Sequence, residues 1–229
     1  MFKYEMHLHT SFCSACGRST AQEYIEKLHD IGYAGAVITN HFYHGNTSID
    51  RNLDWVDFVN AYRGDYLAAR SLGEKWGIDI LFGIEEVYSR GKEALIYGLE
   101  PEDLIETPSF VNMEIGEMSD FVRSKGGFIV CAHPFRARSY IPDPDREPNP
   151  ALFDGIEVFN CGNADDENRK AVDFAARCSL APVSGGDVHI ADCLGEAGLA
   201  FEKRITNGVE LVSALKIRDY KLIVNGEIL

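Results

Sequence analysis

Residues 4–9, Tyr-Glu-Met-His-Leu-His, and residues 34–39, Ala-Gly-Ala-Val-Ile-Thr, decide the fold together with what lies between them. Each is a short run of strand character. Residues 19–31 between them repeat their apolar positions at the helical period. Ser19 or Thr20 can cap that helix, Glu23 follows close behind, and Gly32 stands just past its end. Strand, helix, strand over fewer than forty residues is a βαβ unit, the building block of parallel sheets.

The alternation continues outward. A helical pattern at 52–76 precedes a strand at 78–84 and another at 94–98. A helix at 109–125 leads to a strand at 128–132, and strands at 155–159 and 181–185 flank a helix at 164–178. These seven β segments with helical connections predict one α/β domain over residues 1–229, a closed or nearly closed parallel TIM-like barrel, with a doubly wound open sheet as the rival. Residues 138–150 hold four of the eight prolines. Strand-like sequence resumes directly after them, so they read as a loop or lid on the active face and not as a linker.

Composition narrows the function classes. No run of about 18 apolar residues could span a membrane, and the first residues lack the apolar stretch of a secretory signal, so a cytoplasmic protein with reduced thiols is expected. The net charge of −14 argues against a broad grip on duplex DNA. It leaves room for a small phosphorylated substrate, because bound cations invert the field of an acidic pocket.

The chemistry lies at the strand ends. His7 and His9 are two apart on a strand, so both imidazoles face one side. Apolar runs also end at Thr39-Asn40-His41, Gly83-Ile84-Glu85, Ala132-His133-Pro134 and Gly186-Asp187-Val188-His189. Five of the seven histidines therefore sit at the carboxyl ends of strands, where parallel barrels gather their catalytic groups. Mixed imidazole and carboxylate ligation suits Zn, Mn or Fe. Glu85, with two oxygens, could bridge two ions, and two ions about 3.5–4 Å apart suit in-line phosphoryl displacement by a metal-activated hydroxide.

Taken in order, His7-Leu8-His9-Thr10, Thr39-Asn40-His41, Gly83-Ile84-Glu85, Ala132-His133-Pro134-Phe135, Ile156-Glu157-Val158-Phe159-Asn160 and Asp187-Val188-His189 resemble the PHP (polymerase and histidinol phosphatase) family over nearly the whole chain. The resemblance implies a distorted (β/α)7 barrel with two or three divalent ions. It implies that His7, His9, Glu85 and Asp187 hold the first ion, that Glu85 and His133 share the second, and that His41 and His189 hold the third. Glu85, Asp187 and His133 become the catalytic set. The implied substrates are small phosphate esters, either histidinol phosphate-like or a nucleotide or short oligonucleotide.

The chain departs from the family pattern twice. Ser14 stands at or near a place where the family carries His or Asp, with Cys13 and Cys16 as possible thiolate substitutes. Where a fourth-strand His is usual, Glu93 is the nearest candidate ligand. Among other groups, Arg136 and Arg138 could grip phosphate oxygens, and His44 could donate a proton to a leaving oxygen. Glu157 and Asn160 could orient ligand imidazoles. His29 belongs to a helix far from any strand end and reads as structural or surface. Cys13-Ser14-Ala15-Cys16 has the spacing of a thiol redox motif but accounts for none of the placed histidines, and Gly185-Gly186 read as a tight turn. An amidohydrolase-like C–N or C–O hydrolase, or a non-catalytic metal-binding module, would share much of this signature.

Overall fold

In the computed structural model, which describes residues 1–229, the N-terminal βαβ unit forms with β1 (Phe2–Leu8) parallel to β2 (Gly35–Ile38) and α1 (Ala21–Asp30) as the crossover. Thr20 is the cap. Its hydroxyl accepts from the Glu23 N–H at 3.3 Å, and the Glu23 carboxylate accepts from the Thr20 N–H at 2.7 Å, which satisfies donors the helix cannot pair itself. Tyr24, Ile25 and Leu28 form the buried stripe of α1.

The chain continues through α2 (Trp55–Trp76), β3 (Asp79–Ser89), β4 (Lys92–Tyr97), α3 (Pro101–Ile105), α4 (Ile115–Ser124), β5 (Phe128–Cys131), β6 (Gly155–Asn160), α5 (Asp165–Cys178) and β7 (Ala181–Gly185). The helix expected over 109–125 begins only at Ile115, because Pro108 starts a separate 3-10 turn over Pro108–Asn112. Beyond β7 lie β8 (Ala197–Phe201), α6 (Gly208–Ile217), β9 (Lys221–Val224) and β10 (Glu227–Ile228). No helix is long and apolar enough to cross a membrane.

The α/β class holds, but the sheet is mixed where a uniformly parallel barrel was expected. All ten strands join in one curled sheet, in the order β10-β9-β8-β1-β2-β3-β4-β5-β6-β7. β4 is antiparallel to both neighbours. A parallel return needs a crossover of a dozen residues, whereas Arg90 and Gly91 alone separate β3 from β4, with Gly91 at φ +70°. β8, β9 and β10 add an antiparallel edge beside β1. The curl draws together beyond β7, where Val188 bridges Leu8. The His9 N–H donates to the Val188 carbonyl at 2.9 Å and the Val188 N–H to the His7 carbonyl at 3.0 Å. The Tyr24 hydroxyl donates to the carbonyls of both His9 and Val188, so α1 fastens this junction.

Two apolar layers result. One lies between the sheet and its helices, with Leu8, Leu28, Phe58, Tyr62, Phe82 and Phe174. The other fills the inside of the curl with Tyr4, Met6, Val37, Leu95, Tyr97, Phe128 and Val183, and Leu211, Val212 and Leu215 of α6 close it at one end. Polar groups collect at the other end, where the parallel strands terminate.

Two bulges set which side chains reach that end. Between Glu5↔Ala36 and Leu8↔Ile38, β1 carries one residue more than β2; between Glu157↔Val183 and Phe159↔Ser184, β6 carries one more than β7. A bulge re-aims side chains and frees ladder donors. Those of Met6 and His7 are taken by the Glu5 carboxylate, 2.9 Å from each.

Candidate metal centre

Glu85 is the hub. It lies within the long β3, 1% exposed, and His7, His9, His41 and His133 converge on its two oxygens. Oε1 lies 3.2 Å from His7 Nε2 and 3.0 Å from His133 Nε2, and Oε2 lies 2.8 Å from His41 Nδ1 and 3.5 Å from His9 Nε2. Burial opposes charge on this carboxylate, but His7, His41 and His133 hold it well below the usual carboxylate range.

Hydrogen bonds around the rim fix the imidazole tautomers, which matters because a ligating nitrogen must carry a bare lone pair. His7 Nδ1 donates to Glu157 Oε1 at 2.9 Å, leaving Nε2 aimed at Glu85 and, at 3.5 Å, Asp187. His9 Nδ1 meets Ser14 Oγ at 3.1 Å. That hydroxyl donates to Asn40 Oδ1 and already accepts the His41 N–H, so His9 is the donor and its Nε2 lone pair faces Asp187 at 3.2 Å. His189 Nδ1 donates to the Asp187 carbonyl at 2.8 Å, which turns Nε2 toward Cys16 Sγ at 3.1 Å.

Charge differs between the imidazoles. Burial opposes charge on His7, but Asp187, Glu157 and Glu85 raise it well above the usual imidazole value. Burial, reinforced by the neighbouring His41, pushes His9 down to about 3, so it is neutral. Burial also opposes charge on His41, but Glu85, Cys16 and Glu93 raise it to about 11. Glu93 is pushed up to about 7 by burial and by Glu85. The Cys16 thiol, which burial alone would raise, is drawn down to about 6 by His189 and His41.

Each expected residue can now be placed. Sets of three donors, all within 4.8 Å of one another, are His7, His9 and Glu85; His7, His133 and Asp187; His41, Glu85 and Glu93; and His9, His41 and His189. Glu93 reaches the rim because β4 runs antiparallel and begins there, with Glu93 3.4 Å from His133 and 3.6 Å from His41. Asp187 (φ 52°) and His133 (φ 25°) both hold left-handed backbone, uncommon for residues other than glycine and typical of functional sites. Gly185 and Gly186 lack positive φ, so the expected tight turn gives way to close approach. A Cβ on Gly185 would lie 2.6 Å from His7 Cβ, and one on Gly186 would lie 2.7 Å from Glu5 Oε2.

Arg136 stands on the cavity wall and donates to Asp187 at 2.6 Å and to Asn160 and Asn163. Arg138 instead turns to the Gly162 carbonyl and Glu167 and does not line the cavity. His44 does line it, 3.2 Å from Glu86, which raises its pKa. Glu157 accepts from His7, from the His133 N–H and from Asn160, and Ser14 serves His9 as an acceptor. His29 lies half-exposed on α1 beside Asp30 and Trp76. The sequence reading passed over Glu5, Glu86, Asp65 and Tyr140. Glu86 accepts from the N–H groups of Tyr43, His44 and Val87, and Asp65 on α2 accepts from Thr10 and Asn40. Tyr140, in the proline-rich loop, lines the cavity of about 580 Å³. Its place directly after Glu85 in β3 was the available signal for Glu86; nothing local marks Asp65.

A cation fits these donors. His7 Nε2, His9 Nε2, His41 Nδ1 and Glu85 Oε2 are buried with no hydrogen-bonding partner, although each faces opposite charge or a lone pair at short range. Orphaned buried polar atoms are costly, and divalent ions bound among them would satisfy them: His7, His9 and Glu85 form one set of neighbouring donors, and His41 forms others with Glu85 and Glu93 or with His9 and His189.

The comparisons bear on the fold. A family model described as PHP-associated matches residues 165–219. A two-domain Bacteroides vulgatus protein that contains a predicted PHP-like metal-dependent phosphoesterase superimposes with a TM-score of 0.72 at 15% identity, over 99% of this chain and 66% of its own. The fold is PHP-like. This PHP-like fold recurs in a Bifidobacterium adolescentis protein named as a candidate metal-dependent phosphoesterase (TM-score 0.58, 16% identity, 93% of this chain and 95% of that one). It recurs also in a Chromobacterium violaceum amidohydrolase with bound sulfate and no metal (TM-score 0.57, 17% identity, 81% and 87%). The chain thus spans just under two thirds of the Bacteroides protein. No curated protein matches the sequence.

Proposed function

We propose that this chain is a metal-dependent phosphoesterase acting on a small phosphate ester, histidinol phosphate-like or a nucleotide or short oligonucleotide end. The observation that carries the reading is the convergence of unpartnered imidazole and carboxylate donors on Glu85 at the mouth of a cavity of about 580 Å³, a size suited to a small ligand. His7, His9, Glu85 and Asp187 would hold one ion, Glu85, His133 and Glu93 a second, and His41 and His189 a third. Divalent ions there supply the Lewis acidity that makes water nucleophilic near neutral pH and offsets charge on phosphate oxygens.

The remaining roles belong to the chain itself. Arg136 keeps its guanidinium charged and anchored by Asp187, Asn160 and Asn163, with its remaining N–H donors available to a phosphate oxygen. His44, kept protonated more readily by Glu86, would give a proton to the leaving oxygen. Glu157, Ser14 and Asn40 hold the imidazoles in the ligating tautomer. Tyr140 covers the outer wall and would flank the organic part of the substrate.

Carbonyl chemistry on a C–N or C–O bond is the second reading, favoured by the likeness to the Chromobacterium amidohydrolase. A lysine able to bridge ions after carbamylation would support it. The nearest strand lysine, Lys92, is instead committed to the carbonyls of Pro134 and Pro144. The test is hydrolysis of a panel of phosphate monoesters and diesters, set beside amide and lactone substrates, with Mn²⁺, Zn²⁺ and Fe²⁺ supplied separately. Phosphate release that vanishes in Glu85→Ala and His133→Ala, with the fold retained by circular dichroism, supports the proposal. Phosphate release unchanged in both variants, or amide cleavage alone, would defeat it.

A further inference from the structure

We infer that Cys16 Sγ is a metal ligand and completes, with His41 and His189, a thiolate-containing cation site at the edge of the cluster. The inference rests on the metal-centre reading and adds to it the identity of a donor and the class of ion it selects. His9, His41 and His189 bring three imidazole nitrogens within 4.8 Å of one another, but His9 Nε2 is directed at Asp187 and Glu85. That leaves His41 and His189 short of a third donor of their own. Ser14 is excluded, since its hydroxyl is consumed by Asn40, the His41 N–H and His9.

Cys16 is the group in place. Its sulfur is 3.1 Å from His189 Nε2, the nitrogen whose lone pair is free because Nδ1 donates to the Asp187 carbonyl. It also lines the cavity that His41, His189, Glu85 and Asp187 line. Cys13 diverges from it. That thiol is fully buried and faces the Tyr62 carbonyl at 3.5 Å, and the two cysteines are not bonded to each other. The pair therefore does not act as a dithiol couple; one cysteine belongs to the core and the other to the rim.

A thiolate with two imidazoles is a soft donor set. It favours zinc, and cobalt as its spectroscopic substitute, over magnesium or manganese. The remaining ions, held by carboxylates and imidazoles, carry no such preference. The chain would then discriminate between its own sites by donor type.

The experiment uses the full-length protein, stripped by chelator and reloaded with Co²⁺. Thiolate ligation gives a sulfur-to-cobalt charge-transfer band in the near ultraviolet, separate from the visible d–d bands of any bound cobalt. We expect that band in the native protein and in Cys13→Ser, its loss in Cys16→Ser together with one bound ion, and protection of Cys16 from iodoacetamide by Zn²⁺, read by peptide mass spectrometry on the unmutated chain. Cobalt that binds with d–d bands but no sulfur band, or a band that follows Cys13, or Cys16 alkylation equal with and without Zn²⁺, overturns this assignment and leaves the metal centre standing. Failure to bind any cobalt overturns both.

Discussion

Glu157→Gln is the substitution that most sharply tests how the centre is built, because it removes one charge and almost no volume. Glu157 accepts three hydrogen bonds, from His7 Nδ1 at 2.9 Å on one oxygen and from the His133 N–H and Asn160 Nδ2, each at 2.9 Å, on the other. A glutamine keeps one acceptor oxygen. The backbone N–H of His133 cannot reverse its polarity, so the amide oxygen is expected to stay with it and the NH₂ to face His7. His7 must then switch tautomers, placing a proton on Nε2, the nitrogen directed at Glu85 and Asp187. Losing the partner that orients a ligating imidazole typically costs 10–100-fold in metal affinity, about 1.4–2.7 kcal/mol. Competition against a chromophoric chelator should show a loss of this size for the ion that takes His7, while urea unfolding of the metal-free protein changes by less than about 1 kcal/mol, of the order of one ordinary hydrogen bond. Wild-type affinity in Glu157→Gln would refute the tautomer argument, and with it the claim that the carboxylate acts through His7.

Three further outcomes follow from the same geometry. Reloading chelator-stripped protein with Zn²⁺ at about a thousand times its dissociation constant should stabilise the fold by about 4 kcal/mol, a rise of roughly 8–16 °C in Tm by calorimetry; an unmoved Tm would mean the orphaned donors do not hold the ion. Gly185→Ala drives a methyl group to within 2.6 Å of His7 Cβ and 2.7 Å of Glu157 Oε1, so it should cost about 1–3 kcal/mol in urea unfolding and weaken metal binding as well. Arg136→Lys loses the planar fork that spans Asp187, Asn160 and Asn163. At about 1.5–3 kcal/mol for hydrogen bonds to charged groups, kcat/KM on a phosphate ester should fall about ten- to a hundredfold, and an unchanged value would remove Arg136 from the site.

Much of the centre could be read in the sequence because ligands at the ends of parallel strands follow apolar runs, as His41, Glu85, His133, Asp187 and His189 do, while His7 and His9 are marked by their two-residue spacing on a strand. What escaped had physical causes. The β3–β4 hairpin was hidden because β3 continues to Ser89, past the rim, and both faces of its deep half are buried, which erases the alternation a hairpin strand usually displays. The direction of β4 decides why Glu93, at a strand's beginning, belongs with residues at strand ends. The edge strands β8 to β10 were missed although Asn225-Gly226, with φ of 50° and 77°, is a recognised hairpin turn pair. Cys16 and Cys13 could not be told apart by spacing, since the loop that separates their directions is held by Ser14 and its partners and not by a regular period. Arg136 was the better phosphate candidate of the two by its closeness to His133, but nothing in the sequence showed that Arg138 would turn away to Gly162 and Glu167.

The extra residue in β1 has a consequence for how such a protein can change. Tyr4 and Met6 point into the apolar plug, and it is the slip in phase after them that lets His7 and His9 face the same interior without a polar side chain being forced into the plug below. Deleting one residue there would leave composition, strand propensity and most ladder pairing intact, yet would swing both imidazoles toward the helices and bring apolar neighbours to the mouth. Point substitutions can tune this centre gradually, whereas a shift of frame in its first strand would abolish it in a single step.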